Sequence, residues 1–121
     1  MLTTDWRPIP GIPHYEVSDA GEVRHYQRKR PLTAQEQPNG YLAFYYRAPK
    51  RARRKKCYVH RAVALAFLGD PPHEGCTVDH YPDRCRQNNE ARNLRWATPV
   101  EQSANRDVVG LAAEDFEAEE I

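Results

Sequence analysis

The residues that decide how this chain is read are Cys76-Thr77-Val78-Asp79-His80, then Asn88-Asn89, then Asn93-Leu94-Arg95-Trp96-Ala97-Thr98-Pro99-Val100-Glu101-Gln102-Ser103-Ala104-Asn105. Residues 76–80 read as a short strand. Residues 93–97 read as a second, with Leu94 and Trp96 on its core side. Between them, 81–90 is polar and irregular. Thr98 is a good helix N-cap, Pro99 suits the first helical position, and Glu101, three residues after Thr98, completes a capping box. The helix is expected to run from Pro99 to about Val109 and to stop at Gly110. The order is therefore strand, loop, strand, capped helix. Asp79 and His80 are adjacent on a strand, so they point to opposite sides and can serve different tasks.

Working backwards, His60 to Leu68 reads as a helix, with Val63, Ala66 and Phe67 at i, i+3, i+4 and Gly69-Asp70-Pro71-Pro72 as its stop. His60 is expected to cap or pack. Tyr41 to Arg47 alternates as a strand, with Leu42, Phe44 and Tyr46 on one face and Tyr41, Ala43 and Tyr45 on the other. Lys50 to Lys56 places six cationic side chains in seven residues and is expected at an exposed hairpin tip before a strand at Cys57–His60. Further back, His14–Ser18 and Glu22–Tyr26 read as two strands joined by a turn at Asp19-Ala20-Gly21, and Pro38-Asn39-Gly40 as another turn. Trp6 to Gly11, with two prolines, is expected to be irregular.

The net charge of +1 conceals a segregation. All 18 Lys and Arg precede residue 111, and five of the 17 acids follow residue 110, so the body carries 18 − 12 = +6. Residues 24–61 hold 12 basic groups against Glu36 alone. A polyanion is the natural partner of such a stretch. The candidate contacts are Arg28, Lys29, Arg30, Lys50, Arg51, Arg53, Arg54, Lys55, Lys56 and Arg61. No apolar run is long enough to cross a membrane, and the start lacks the apolar run of a secretory signal. Three cysteines are too few for a disulfide framework, so a cytoplasmic location is expected (a bacterial host cell if the gene is carried by a phage). Without a C-x2-C pair, structural zinc is not expected, and the cysteines are read as small buried residues. The tryptophans and tyrosines are read as core.

Hydrolysis of a phosphodiester needs a base for water and a divalent ion for the developing charge. A neutral His and a carboxylate with a nearby amide are suitable groups. Val59-His60-Arg61-Ala62-Val63-Ala64-Leu65-Ala66-Phe67-Leu68-Gly69, Val78-Asp79-His80, Asn88-Asn89 and Asn93-Leu94-Arg95-Trp96-Ala97-Thr98 together resemble the HNH homing endonucleases, of the ββα-metal (His-Me finger) type common in phages and mobile introns. Residues 5–26, with Tyr15-Glu16-Val17-Ser18-Asp19-Ala20-Gly21, resemble the nuclease-associated module that often precedes that domain.

The resemblance implies that His80 is the general base and Asp79 a metal ligand, and that Asn93 holds the loop and helps orient the His. The last ligand falls on Gln102, where the family has Asn or His, with Asn105 on the same helical face as the other choice. One divalent ion, Mg2+ or Mn2+, and double-stranded DNA are the implied cofactor and partner. If Gln102 cannot support the ion, the chain would instead be a catalytically weak or inactive DNA-binding protein of the same fold. The expected class is α+β. It comprises an N-terminal β module (1–47), a nuclease domain (48–110) containing the basic hairpin and the ββα-metal motif at 76–109, and an acidic tail (111–121). The acidic tail is expected to be disordered or a frayed helix. Because the chain stops soon after the motif helix, relaxed specificity or a protein partner that supplies it is expected.

Overall fold

A computed structural model describes residues 4–47 and 53–105. Its strands form two three-stranded sheets and one hairpin, all antiparallel. The first sheet contains β1 (Trp6–Ile9), β2 (Ile12–Ser18) and β3 (Val23–His25). The second contains β4 (Gln35–Glu36), β5 (Leu42–Arg47) and β6 (Arg54–Tyr58). The hairpin pairs β7 (Thr77–His80) with β8 (Leu94–Ala97). Helix α1 (Val59–Phe67) precedes the hairpin and α2 (Pro99–Asn105) follows it.

Helix α1 holds the pieces together. Val59, Ala62, Val63 and Ala64 are buried on it, and it packs against β1, β2, β5, β6, β7 and β8. The shared core adds Ile9, Ile12, Val17, Val23, Phe44, Val78 and Leu94. The helix ends where the Leu68 N–H donates to the Ala64 carbonyl, and Gly69 then adopts φ +82°. Burying an aliphatic or aromatic side chain contributes about 1.5–3 kcal/mol. One helix against both sheets and the hairpin is therefore an economical way to stabilise a small chain.

The expected alternation of β5 is observed. Phe44, with Leu42 and Tyr46, faces the main core, while Tyr41 and Ala43 join Tyr58 in a second cluster. Several expectations are corrected. Trp6–Ile9 is a strand and not an irregular segment. It is the edge of its sheet, where the missing N–H of Pro8 is tolerated, and its register shifts between Pro8 and Ile9. Arg54, Lys55 and Lys56 belong to β6 and not to a hairpin tip. The strand ends at Tyr58, and His60 lies within α1. An edge strand accepts charge because one side faces solvent, and the charge discourages pairing with other chains. Asn93 closes a 3₁₀ turn (Ala91–Asn93) and does not open β8. Tyr26 and Tyr81 are exposed and not core, and of the cysteines only Cys57 is buried. Residues 48–52, and 106–121 with the expected end of α2 and the acidic tail, lie outside the described residues.

Candidate active site

The local sequence of 94–105 fixes where its side chains go. The Thr98 N–H donates to a Glu101 carboxylate oxygen at 2.9 Å, and the Glu101 N–H donates to Thr98 Oγ1 at 3.2 Å. This reciprocal cap starts α2 at a defined residue. Hydrogen bonding to the Glu101 carboxyl, from the Thr98 N–H first and the Thr98 side chain second, holds it below its ordinary pKa. Strand pairing sets Asp79 opposite Arg95 and His80 opposite Leu94.

On one side of β7 lies a polar corner. Arg95 Nε donates to Asp79 Oδ2 at 3.0 Å, and its guanidinium lies 4.0 Å from the centre of the Tyr81 ring. Asn105 Nδ2 donates to Asp79 Oδ1 and Oδ2, each at 3.1 Å, and to the His80 carbonyl at 2.9 Å. Gln102, one helical turn earlier, donates through Nε2 to Thr77 Oγ1. Of the two amides singled out in the sequence, Asn105 is thus the one at Asp79.

The other side is an aromatic chamber. His80 is only 4% exposed, and its Nε2–H donates to Asn89 Oδ1 at 2.8 Å. Its ring centre is 5.2 Å from that of His60 and 5.6 Å from that of Tyr41. His60 is itself 2% exposed, lies 4.8 Å from Tyr41 and 5.5 Å from Tyr58, and its Nδ1 has no hydrogen-bond partner among the described residues. Burial lowers the pKa of His80. The Asn89 hydrogen bond and Asp79 oppose that shift, and Arg86 adds to it, but desolvation wins. His60 falls well below the usual imidazole range, through burial first and the charges of His80 and Arg61 after it. Both rings are therefore neutral near pH 7. With Nε2 engaged as a donor, His80 keeps its lone pair on Nδ1.

Asn93 braces the loop that separates the strands. Its Oδ1 accepts the Asp83 N–H at 2.9 Å, and its Nδ2 donates to the carbonyls of Asp83 at 2.8 Å and Asn88 at 3.1 Å. The Asp83 carboxyl is held below its ordinary pKa by the Asn88 side chain and then the Cys85 N–H. Sequence reading noticed Asn89 without giving it a task, and it left His60 as a capping or packing residue. The adjacent Asn88-Asn89 pair offered a signal. The approach of His60 to His80 offered none, because it depends on how α1 sits across the hairpin.

Among the basic candidates, Arg28, Lys29, Arg30, Arg53, Arg54, Lys55 and Lys56 are exposed and Arg61 is half-buried, while Lys50 and Arg51 fall outside the described residues. Arg54 lies 4.7 Å from the Tyr45 ring centre and Lys56 lies 5.1 Å from that of Tyr58. Burial pushes the Cys57 thiol up to about 11, which makes it inert. Among the described residues, no three His, Cys, Asp or Glu side chains form a metal cage.

An acid and an imidazole back to back on a hairpin closed by a capped helix define a class of nuclease, and comparison with known proteins agrees. Residues 57–104 match the family model of the HNH endonucleases, and residues 5–59 match the NUMOD4 motif. The chain thus carries an HNH endonuclease domain preceded by a NUMOD4 motif. It is 33% identical over 114 residues to the DNA endonuclease I-HmuI of Bacillus phage SP01, covering 89% of this chain and 62% of that protein. An uncharacterized HNH endonuclease of Acanthamoeba polyphaga mimivirus is 32% identical over 98 residues, 79% of this chain and 24% of that one. The solved structure describing DNA binding and cleavage by I-HmuI superposes with a TM-score of 0.70 at 33% identity, covering 94% of this chain and 66% of that one. The chain thus spans under two thirds of the length of these relatives.

Proposed function

We propose that this chain hydrolyses phosphodiester bonds of double-stranded DNA in a metal-dependent reaction, with His80 as the general base. The observation that carries this reading is the division of labour on β7. Asp79 meets an amide from α2 on one side, and His80 is held neutral with one nitrogen engaged on the other. I-HmuI, described as binding and cleaving DNA, has the same fold and sequence similarity over most of this chain.

The donor set suits a divalent ion of the Mg2+ or Mn2+ kind. Asp79 and Asn105 offer a carboxylate and an amide at one point, and such ions take one or two protein oxygens and fill the remaining positions with water and phosphate. Turning the Asn105 amide about its last torsion puts Oδ1 where Nδ2 now lies. Asp79 and Asn105 would hold such an ion, and it would supply Lewis-acid stabilisation of the charge developing on the phosphoryl group and on the 3′ oxygen. His80 Nδ1 accepts a proton from water as the water oxygen bonds to phosphorus and the bond to the 3′ oxygen breaks. Asn93 keeps the intervening loop in shape, and the exposed cations of β6 attract the backbone.

This reading assigns the second protein ligand to Asn105, so the Gln102 amide is not required for metal binding. Nicking of a supercoiled plasmid tests it. Cleavage is expected with Mg2+ or Mn2+, to stop with a chelator, and to be lost in His80→Ala. Full cleavage by His80→Ala would overturn it. An inert wild type together with an active Gln102→Asn would instead favour the DNA-binding protein without catalysis.

A further inference from the structure

The turn at residues 18–22 of the N-terminal module lies against the loop that carries Asn89, and the contact is tight. Ser18 is fully buried, and its hydroxyl accepts the N–H of Ala20 at 3.2 Å and of Glu22 at 3.0 Å. The Gly21 N–H donates to the Ser18 carbonyl at 3.0 Å, and the Asp19 N–H to the Asp5 carbonyl at 3.0 Å. This rigid turn then meets the hairpin loop twice. The Asp19 carbonyl accepts the Ala91 N–H at 2.8 Å. Gly21, at φ +91°, lies so close to Asn89 that a Cβ added to it would sit 3.0 Å from the Asn89 carbonyl oxygen and 3.1 Å from its Cβ. Asn89 itself is 3% exposed and holds His80 Nε2 at 2.8 Å. From the other direction, Asn93 fixes the Asn88 carbonyl next door.

We infer that Asn89 is the positioning residue for His80, and that the Ser18–Glu22 turn of the N-terminal module, through Gly21 and Asp19, sets Asn89 in place. The inference rests on the reading of His80 as general base. It makes the module a structural part of the catalytic site as well as a neighbour of it. The acceptor Oδ1 keeps the proton on His80 Nε2 and so keeps the lone pair on Nδ1. Removing a partner that orients a functional His typically costs about 10–100-fold. A side chain at position 21 is disfavoured for two separate reasons: its positive φ, and a Cβ that would press on Asn89.

Gly11 supplies the control. It belongs to the same module and has φ +81°, but an added Cβ there would meet nothing within 4 Å. Gly11→Ala therefore carries the backbone strain without the push on Asn89. The experiment measures single-turnover cleavage of saturating plasmid DNA with Mg2+, DNA affinity without metal, and the His80 tautomer from ring nitrogen shifts in alkaline solution.

Asn89→Leu is expected to lower turnover about 10–100-fold, to leave affinity within about threefold, and to lose the Nε2–H preference. Asn89→Asp keeps an acceptor and should retain the tautomer and most of the turnover. Gly21→Ala should lower turnover more than Gly11→Ala does. In the Asn89→Leu background its effect should vanish, as expected for two residues acting through one contact. An unchanged tautomer in Asn89→Leu would overturn the inference. So would equal effects of the two glycine variants, or a Gly21→Ala loss that multiplies with Asn89→Leu. If His80→Ala cleaves like wild type, the base reading fails. If His80→Ala is dead while Asn89→Leu and Gly21→Ala cleave normally, only the positioning fails. Melting curves identify unfolded variants, and the Asn89→Asp comparison, which keeps size and polarity, decides the matter should Asn89→Leu or Gly21→Ala not fold.

Discussion

Asp79 and His80 are consecutive residues of β7, yet their surroundings differ. Asp79 sits in a corner of a guanidinium and an amide, with Arg95 and Asn105 both donating to it. His80 sits among His60 and Tyr41, with Asn89 as its side-chain hydrogen-bond partner among the described residues and almost no exposure. The alternation of a strand is enough to place the two in different media 180° apart. An ion-binding group benefits from a polar, hydrated setting, whereas a base that must be neutral benefits from a dry one. In the proposed function, one strand supplies both settings.

The difference predicts that the two sides fail differently. If His80 is the base, as proposed, His80→Ala should lower cleavage by about 10²–10⁴-fold. No concentration of Mg2+ should restore it, because the missing proton acceptor is not a metal ligand. Cleavage restored in that variant by metal alone would break the division between the two sides.

On the polar side the contrast falls within α2. Asn105→Ala should lower cleavage about 10–100-fold at low Mg2+, with partial recovery as the ion is raised. Gln102→Ala should leave the metal dependence where it was, since that amide is on Thr77 Oγ1. Its cost should appear in thermal stability instead, because Gln102 is 9% exposed and helps seat α2 on β7. The reverse pattern, with metal dependence shifted by Gln102→Ala and not by Asn105→Ala, would move the ligand back one turn.

Those two amides also show what was legible in the sequence and what was not. The helix start was readable because Thr98 and Glu101 cap each other within four residues. Helical spacing put Gln102 and Asn105 on one face. It could not say which of them meets Asp79, because that depends on where the axis of α2 crosses β7. His80 was conspicuous beside Asp79, but Asn89 reaches it across a loop whose shape is set by Asn93 and by a turn some seventy residues earlier. Strand β1 was missed because Pro8 within it and Pro10 just after it dominate local propensity, and an edge position then accommodates Pro8. Local chemistry was readable where the partners are near in sequence. It was lost where tertiary packing chose between equals.

The dry side carries a pH signature. Burial depresses both imidazoles, so each binds a proton more readily in the unfolded chain than in the folded one. Their contribution to stability is complete above the ordinary imidazole value of about 6.5 and is lost progressively as the pH falls from there towards the folded values. The loss is at most about 1.4 kcal/mol per pH unit for each ring. His60→Phe keeps the ring volume and removes one titrating group, so urea midpoints between pH 7 and pH 5 should fall less steeply than in wild type. An equally steep fall would mean that His60 is not one of the groups responsible.

The smallest effect concerns the way strand alternation extends to the basic edge. Cross-strand pairing puts Arg54 opposite Arg47, Lys56 opposite Tyr45, and Tyr58 opposite Ala43. Directly paired residues share a face, and Tyr41 and Tyr58, on this one, lead to His60 and His80. Lys55, paired with Tyr46, points with Cys57 to the opposite face, that of the main core. Arg54 and Lys56 are thus on the active-site side of the sheet, steered by the Tyr45 and Tyr58 rings, and Lys55 is not. Each phosphate contact contributes about 0.9 to the slope of log affinity against log salt. Arg54→Ala and Lys56→Ala together should therefore reduce that slope by about 2 if each cation meets one phosphate, whereas Lys55→Ala should barely change it. Equal reductions for all three would mean that DNA contacts the edge of the strand and takes no account of the face, and the link between the basic strand and the catalytic chamber would then be lost.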